Sequence, residues 1–104
     1  MLCFLTVRRL KPGAFERFRA AWEPEEWPAG FVRAYHLRNP ENHDEVISFG
    51  LFEGTLADYR TLRADSVAGQ VEEKRQHEMA EFVESVGLDG VFEVIDEVTP
   101  PHRK

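Results

Sequence analysis

His36 is the side chain best suited to move a proton near neutral pH, because an unperturbed imidazole titrates there. It lies in a run, Phe31 to Arg38, that alternates Phe31, Arg33, Tyr35 and Leu37 with Val32, Ala34, His36 and Arg38. His36 and Tyr35 therefore point to opposite faces of a strand, and only one of them can face a covering layer. A pocket-facing His36 is a general base; a partly buried one is a structural hydrogen-bonding group. Tyr59 offers a phenol for an aromatic ligand or for a structural partner. Trp22 packs on a helix, while Trp27 in a proline-rich loop caps a pocket mouth or covers the edge of the core. With Phe49, these aromatic side chains are the candidates for holding a ligand and excluding water.

Other chemistries find little support. Cys3, the single cysteine, has no base nearby in sequence to form its thiolate, so it reads as core. There is no Cys-x-x-Cys pair or His/Cys cluster at zinc spacing, and no Ser/His/Asp order, phosphate loop, dinucleotide fingerprint or HExxH. Glu73, His77, Glu81 and Glu84 share one side of a helical wheel, which reads as a solvated stripe with at most a weak hold on a divalent ion. His43 falls in a turn and His102 in the tail, neither a persuasive ligand. No metal and no cofactor is expected.

Charge narrows the partners. Residues 1–63 sum to zero, so the net charge of −6 comes entirely from residues 64–104. An acidic chain with no basic stripe is poorly matched to a phosphate backbone, which argues against nucleic acid. No apolar run approaches the roughly 20 residues of a membrane span, and the N-terminal apolar run is too short for a secretion signal. A cytoplasmic protein that does not engage membranes is expected.

The elements that must position these residues follow from periodicity. Leu2–Val7 is a strand apolar on both faces. Lys11-Pro12-Gly13 opens a helix, with Pro12 in its first turn and Ala14, Phe15, Phe18, Ala21 and Trp22 on one side. Residues 23–30 form a loop. Phe31–Arg38 and Glu45–Phe52 form a hairpin closed by a polar turn of about six residues. Thr55-Leu56-Ala57-Asp58 is a capping box that starts a short helix. A longer helix runs from about Ala68 to Val86, and Val91–Val98 is the last strand. The order β-α-β-β-α-α-β predicts a single α+β domain over residues 1–99, a ferredoxin-like split βαβ with a four-stranded antiparallel sheet, and a tail over 100–104. Helices cover only one face of such a sheet, so the other face calls for a second copy and a homodimer is expected.

Lys11-Pro12-Gly13-Ala14-Phe15-Glu16-Arg17-Phe18 after an opening strand resembles the start of antibiotic-biosynthesis-monooxygenase-like proteins. Asp44-Glu45-Val46-Ile47-Ser48, followed by Phe49–Phe52 and a helix from Thr55, is similar to that family's third strand and the turn after it. The resemblance implies a dimeric α+β barrel with a pocket in each subunit between sheet and helices. It also implies metal-free, flavin-free oxidation of aromatic polyketides or quinols by dioxygen, as some members perform. Haem-degrading relatives place an Asn on the first strand where Thr6 stands here, a Trp near the short helix, and a His near Gln70 and Val71. This chain has none of the three.

The expected function is a cofactor-independent monooxygenase, or related enzyme, acting on a small aromatic or polyketide-like molecule. In it His36 takes a substrate proton, and Tyr59 and Thr6 orient the substrate. The alternative is a barrel that binds a small hydrophobic ligand, or only assembles, without catalysis. Arg75 completes the candidates: it falls in the middle of the apolar stripe Val71, Met79, Phe82, Val86 of the long helix. Either its stem packs while the head reaches water, or the head pairs with a carboxylate such as Glu93 or holds an anionic substrate oxygen.

Overall fold

The computed structural model describes residues 1–101; His102 lies outside them. The chain runs β1 (Leu2–Leu10), α1 (Phe15–Trp22), β2 (Phe31–Asn39), β3 (Asn42–Phe52), α2 (Leu56–Ala64), α3 (Ser66–Ala80) and β4 (Val83–Glu93). The strands form one antiparallel sheet in the order β2-β3-β1-β4. This is the expected ferredoxin-like α+β fold, with β1 central because it is apolar on both faces. No helix among the described residues is long and apolar enough to cross a membrane.

Side-chain alternation assigns the two faces of the sheet. Leu2, Arg8 and Leu10 of β1 and Val46, Ser48 and Phe52 of β3 are buried beneath the helices. The core gathers Leu10, Phe18, Val46 and Met79, flanked by Phe15, Ala21, Trp22, Phe82 and Val83. On the other face lie Cys3, Leu5 and Val7, the β3 residues Ile47, Phe49 and Leu51, and Tyr35, Leu37 and Phe92. The last three are 44%, 46% and 42% exposed. The molecule is a slab of 44 × 40 × 21 Å, one sheet and one helical layer thick.

Local chemistry explains most boundaries and corrects several. The Thr55 capping box forms in full: the Asp58 N–H donates to Thr55 Oγ1 at 3.1 Å and the Thr55 N–H donates to Asp58 Oδ2 at 2.9 Å. Pro12 lies in a turn ahead of α1 rather than in its first helical turn, because Gly13 takes φ +69°, outside helical space. The β2–β3 turn is only Pro40-Glu41, shorter than the expected six residues. Asn39 tightens it, accepting the Glu41 N–H at 2.9 Å through Oδ1.

The largest correction is at the C-terminal end. The long helix stops at Ala80 rather than Val86, and the last strand is Val83–Glu93 rather than Val91–Val98. After Met79 the chain turns, with the Phe82 N–H donating to the Met79 carbonyl and the Lys11 N–H to the Phe82 carbonyl, each at 3.0 Å. Val83 then pairs with Leu10 and Val86 with Arg8. Gly87 and Gly90, weak helix formers, sit within the strand, which pairing with β1 holds in place. Beyond Glu93 the described chain has no regular structure, although the Val94 N–H still reaches the Met1 carbonyl at 2.9 Å.

Candidate functional site

Four polar side chains cross the helix-covered face of the sheet in register: His36 opposite Ser48, Ser48 opposite Thr6, Thr6 opposite Asp89. They divide into two hydrogen-bonded pairs. His36 Nδ1 and Ser48 Oγ lie 2.7 Å apart, and Thr6 Oγ1 donates to Asp89 Oδ1 at 2.8 Å. The two pairs meet different surroundings, and this separates their chemistry.

The His36 pair is partly buried beneath α1. Its ring meets Trp22, Phe15 and Phe18 edge-on, at centroid distances of 4.5, 5.9 and 6.1 Å. Among the described residues its Nε2, a buried atom, has no hydrogen-bond partner. Burial, helped by the positive charges of Arg19 and Arg8, pulls its pKa down to about 4, so the ring is neutral at pH 7. No histidine lines the cavities between the sheet and the helices. Of the two readings of His36, the geometry matches the partly buried, structurally hydrogen-bonded imidazole: the ring faces the helices, and α1 packs on it.

The Thr6–Asp89 pair opens into a cavity of about 450 Å³ between β1, β4, α2 and α3, lined by Phe4, Thr6, Tyr59, Arg63, Glu72, Gln76, Asp89, Gly90 and Val91. Tyr59 packs against Phe4 at 4.8 Å between centroids, and the Arg63 guanidinium lies 5.9 Å over the Tyr59 ring. Aromatic surface thus stands beside a carboxylate, a hydroxyl and an amide. A second, more apolar cleft of about 350 Å³ lies beside it, walled by Trp22, Trp27, Phe31, Val71 and Arg75. Trp27 packs on Phe31 at 4.6 Å and on Trp22 at 5.9 Å.

Glu72 lines both cavities, and its ion pair with Arg75 divides them. Arg75 Nε donates to Glu72 Oε2 at 2.9 Å, Nη2 to Oε1 at 2.8 Å, and Nη1 to the Trp22 carbonyl at 3.0 Å. Arg75 thus neither reaches Glu93 nor extends to water; its partner is one helical turn earlier. Burial pushes the Glu72 carboxyl up, but hydrogen bonds from Arg75 and Gln76 outweigh it and hold the group below the usual range. The structure brings Thr6 and Tyr59 together in one cavity and Trp22, Trp27 and Arg75 in the other. Phe49 joins neither: it is on the uncovered face, stacked on Tyr35 at 5.1 Å.

Sequence reasoning missed Asp89, Gln76, Glu72 and Arg8. Glu72 was findable from its i,i+3 spacing to Arg75. Asp89 was hidden by the wrong helix end, since its register opposite Thr6 exists only once residues 83–93 are a strand. Among the described residues, no three His, Cys, Asp or Glu side chains gather as metal ligands would.

No protein-family model and no curated protein matches the chain. Solved structures do. A candidate antibiotic biosynthesis monooxygenase from Chloroflexus aurantiacus superposes with TM-score 0.65 at 11% identity, over 94% of this chain and 96% of that one. One from Nitrosomonas europaea gives TM-score 0.65 at 12% identity, over 92% and 100%. SnoaB from Streptomyces nogalater, a cofactor-independent oxygenase, gives TM-score 0.59 at 18% identity, with 97% of each chain covered. The likeness runs nearly end to end in both directions. The chain has the fold of the antibiotic biosynthesis monooxygenases.

Proposed function

We propose that this protein is a cofactor-independent monooxygenase acting on a small aromatic or polyketide-like molecule, bound between sheet and helices, and that it works as a homodimer. The observation that carries this reading is the cavity that joins Phe4 and Tyr59 to the Thr6–Asp89 pair, within a fold shared with SnoaB. Its volume falls in the range of roughly 300–1,000 Å³ common for small-molecule sites.

Oxidation without a cofactor asks the protein to make the substrate electron-rich. A phenol or an acidic ring methylene loses a proton, and the resulting carbanion reduces dioxygen and combines with it at carbon. The hydroperoxide then loses water, so that CH2 and O2 become C=O and H2O. In this chain Asp89 is the base, because it lines the cavity and its other contact, from Thr6 Oγ1, fixes the carboxylate's direction. Tyr59 and Phe4 hold the ring, Trp22 and Trp27 shield the neighbouring cleft, and Arg75 braces the wall between the two. His36, neutral and partly buried, orders β2 against β3 through Ser48.

Oxygen uptake by purified protein with a panel of anthrones and hydroquinones tests the reading. One O2 consumed per substrate molecule, with one of its oxygen atoms retained in the product and the other released as water, and an Asp89→Asn rate lower by roughly a hundredfold or more, is the expected outcome. Saturable binding of the same compounds with no oxygen uptake would instead identify a binding protein.

A further inference from the structure

Arg8 is buried without a counter-ion. It is 7% exposed, on the helix-covered face of β1 between Thr6 and Leu10. Among the described residues its guanidinium forms no ion pair, and Nη1 is buried with no hydrogen-bond partner. The two carboxylates near enough to attract it are already engaged: Asp89 accepts from Thr6, and Glu72 accepts from Arg75 and Gln76. Arg75 repels it. The Phe18 ring, 5.2 Å from the guanidinium carbon, offsets only part of the lost hydration. A fold seldom keeps an unpaired buried cation, because a well-packed apolar side chain is usually more stable in its place. Where one persists, the missing partner is sought outside the chain.

The space for that partner adjoins the cavity described above. Arg8 lines a pocket of about 290 Å³ between β1, β4 and α3, together with Thr6, Gln76, Ser85 and Asp89. Thr6, Gln76 and Asp89 also line the larger cavity that holds Phe4 and Tyr59. We propose that Arg8 anchors a carboxylate carried by the ligand, whose aromatic body rests against Phe4 and Tyr59. A guanidinium with unused donors matches a carboxylate in a two-pronged hydrogen-bonded pair, which a neutral ester or phenol cannot reproduce. The aromatic body rests on the function proposed above; the carboxylate rests on Arg8 alone.

Calorimetric titration with 1-hydroxy-2-naphthoate and its methyl ester tests this directly. For the wild-type protein the acid is expected to bind at least about tenfold more tightly than the ester. In Arg8→Met the acid should fall to the ester's affinity while the ester is unchanged. Without ligand, Arg8→Met should melt at or above the wild-type temperature, because it removes an unpaired charge. Equal affinities of acid and ester for the wild type, no binding of either, or an Arg8→Met protein that still prefers the acid would overturn the proposal. So would an Arg8→Met protein that melts far below wild type, which would make Arg8 a structural residue. Oxygen uptake is not part of this readout. A protein that binds the acid through Arg8 but consumes no oxygen would sink the oxygenase reading and leave the carboxylate site standing.

Discussion

Among single residues, His36 gives the most direct link between environment and measurement. Its pKa falls from the ordinary 6.5 to about 4, chiefly through burial. The unfolded chain therefore takes up a proton on this ring before the folded one does. The stability that the neutral ring contributes is complete above pH 6.5 and is lost as pH falls from 6.5 toward about 4. The loss is at most about 3 kcal/mol, and solvent screening of a half-buried ring makes it smaller. Melting temperature should drop between pH 7 and pH 4.5 more steeply in wild type than in His36→Gln, and NMR titration should place the ring's midpoint well under 5. A midpoint near 6.5 would mean that water reaches the imidazole. The same residue marks how far strand alternation reads: it separates His36 from Tyr35, but which of the two faces the helices, and whether a helix or a cavity covers that face, depends on Phe15, Phe18 and Trp22, which contact the ring from another element.

At the scale of elements, α2 supplies Tyr59 and Arg63 to the cavity, and the capping box holds its start. Thr55→Ala removes the acceptor for the Asp58 N–H and should cost about 1 kcal/mol in denaturant unfolding. Because the helix would fray from that end, ligand affinity should weaken as well. An unchanged midpoint would show that packing alone holds α2. The box was legible because its chemistry is local, Thr55 and Asp58 acting on one another three residues apart. The hairpin, α1 and β1 were legible for the same reason, through periodicity. The stretch from Ala80 to Val98 was not. Val71, Arg75, Met79, Phe82 and Val86 repeat at helical spacing across a turn that no local residue announces. What ends the helix is the pairing of Val83 with Leu10, a contact between distant parts of the chain. The site inherited that error, since Asp89 had no assigned partner until β4 was in register.

For the whole molecule, shape is the informative quantity. The radius of gyration is 15.3 Å, where a compact chain of this length has about 13 Å. The exposed surface is 7707 Å², against roughly 6,000 Å² for a folded monomer of this mass. Exposed apolar side chains include Tyr35, Leu37 and Phe92 on the uncovered face and, beyond β4, Ile95, which is 92% exposed. A second copy laid face to face would cover that face and turn two open sheets into one closed layer pair. Light scattering at micromolar concentration should report about twice the 12.0 kDa chain mass. Leu37→Arg, a charge placed on that face, should shift the population to monomer and lower the melting temperature. A wild-type protein that is monomeric at these concentrations would remove the homodimer from the proposed function.

The place of β1 at the centre of the sheet also sets the order in which the molecule can assemble. Leu2 pairs with Phe52 on one side and with Glu93 on the other, so β1 is made before both of its partners and is the last of the three to be enclosed. During synthesis Leu2–Leu10 waits for β3 and then for β4, and its neighbours in sequence, Lys11 and the turn to α1, cannot bury it. Contacts this distant place the chain toward the slower end for small α/β domains, limited by loop closure rather than by helix formation. A nascent chain halted before residue 83 would hold β2, β3 and β1 with one edge of β1 open. Such a fragment is a template for misplaced strand pairing, so this sheet is protected only once Val83–Glu93 is in place.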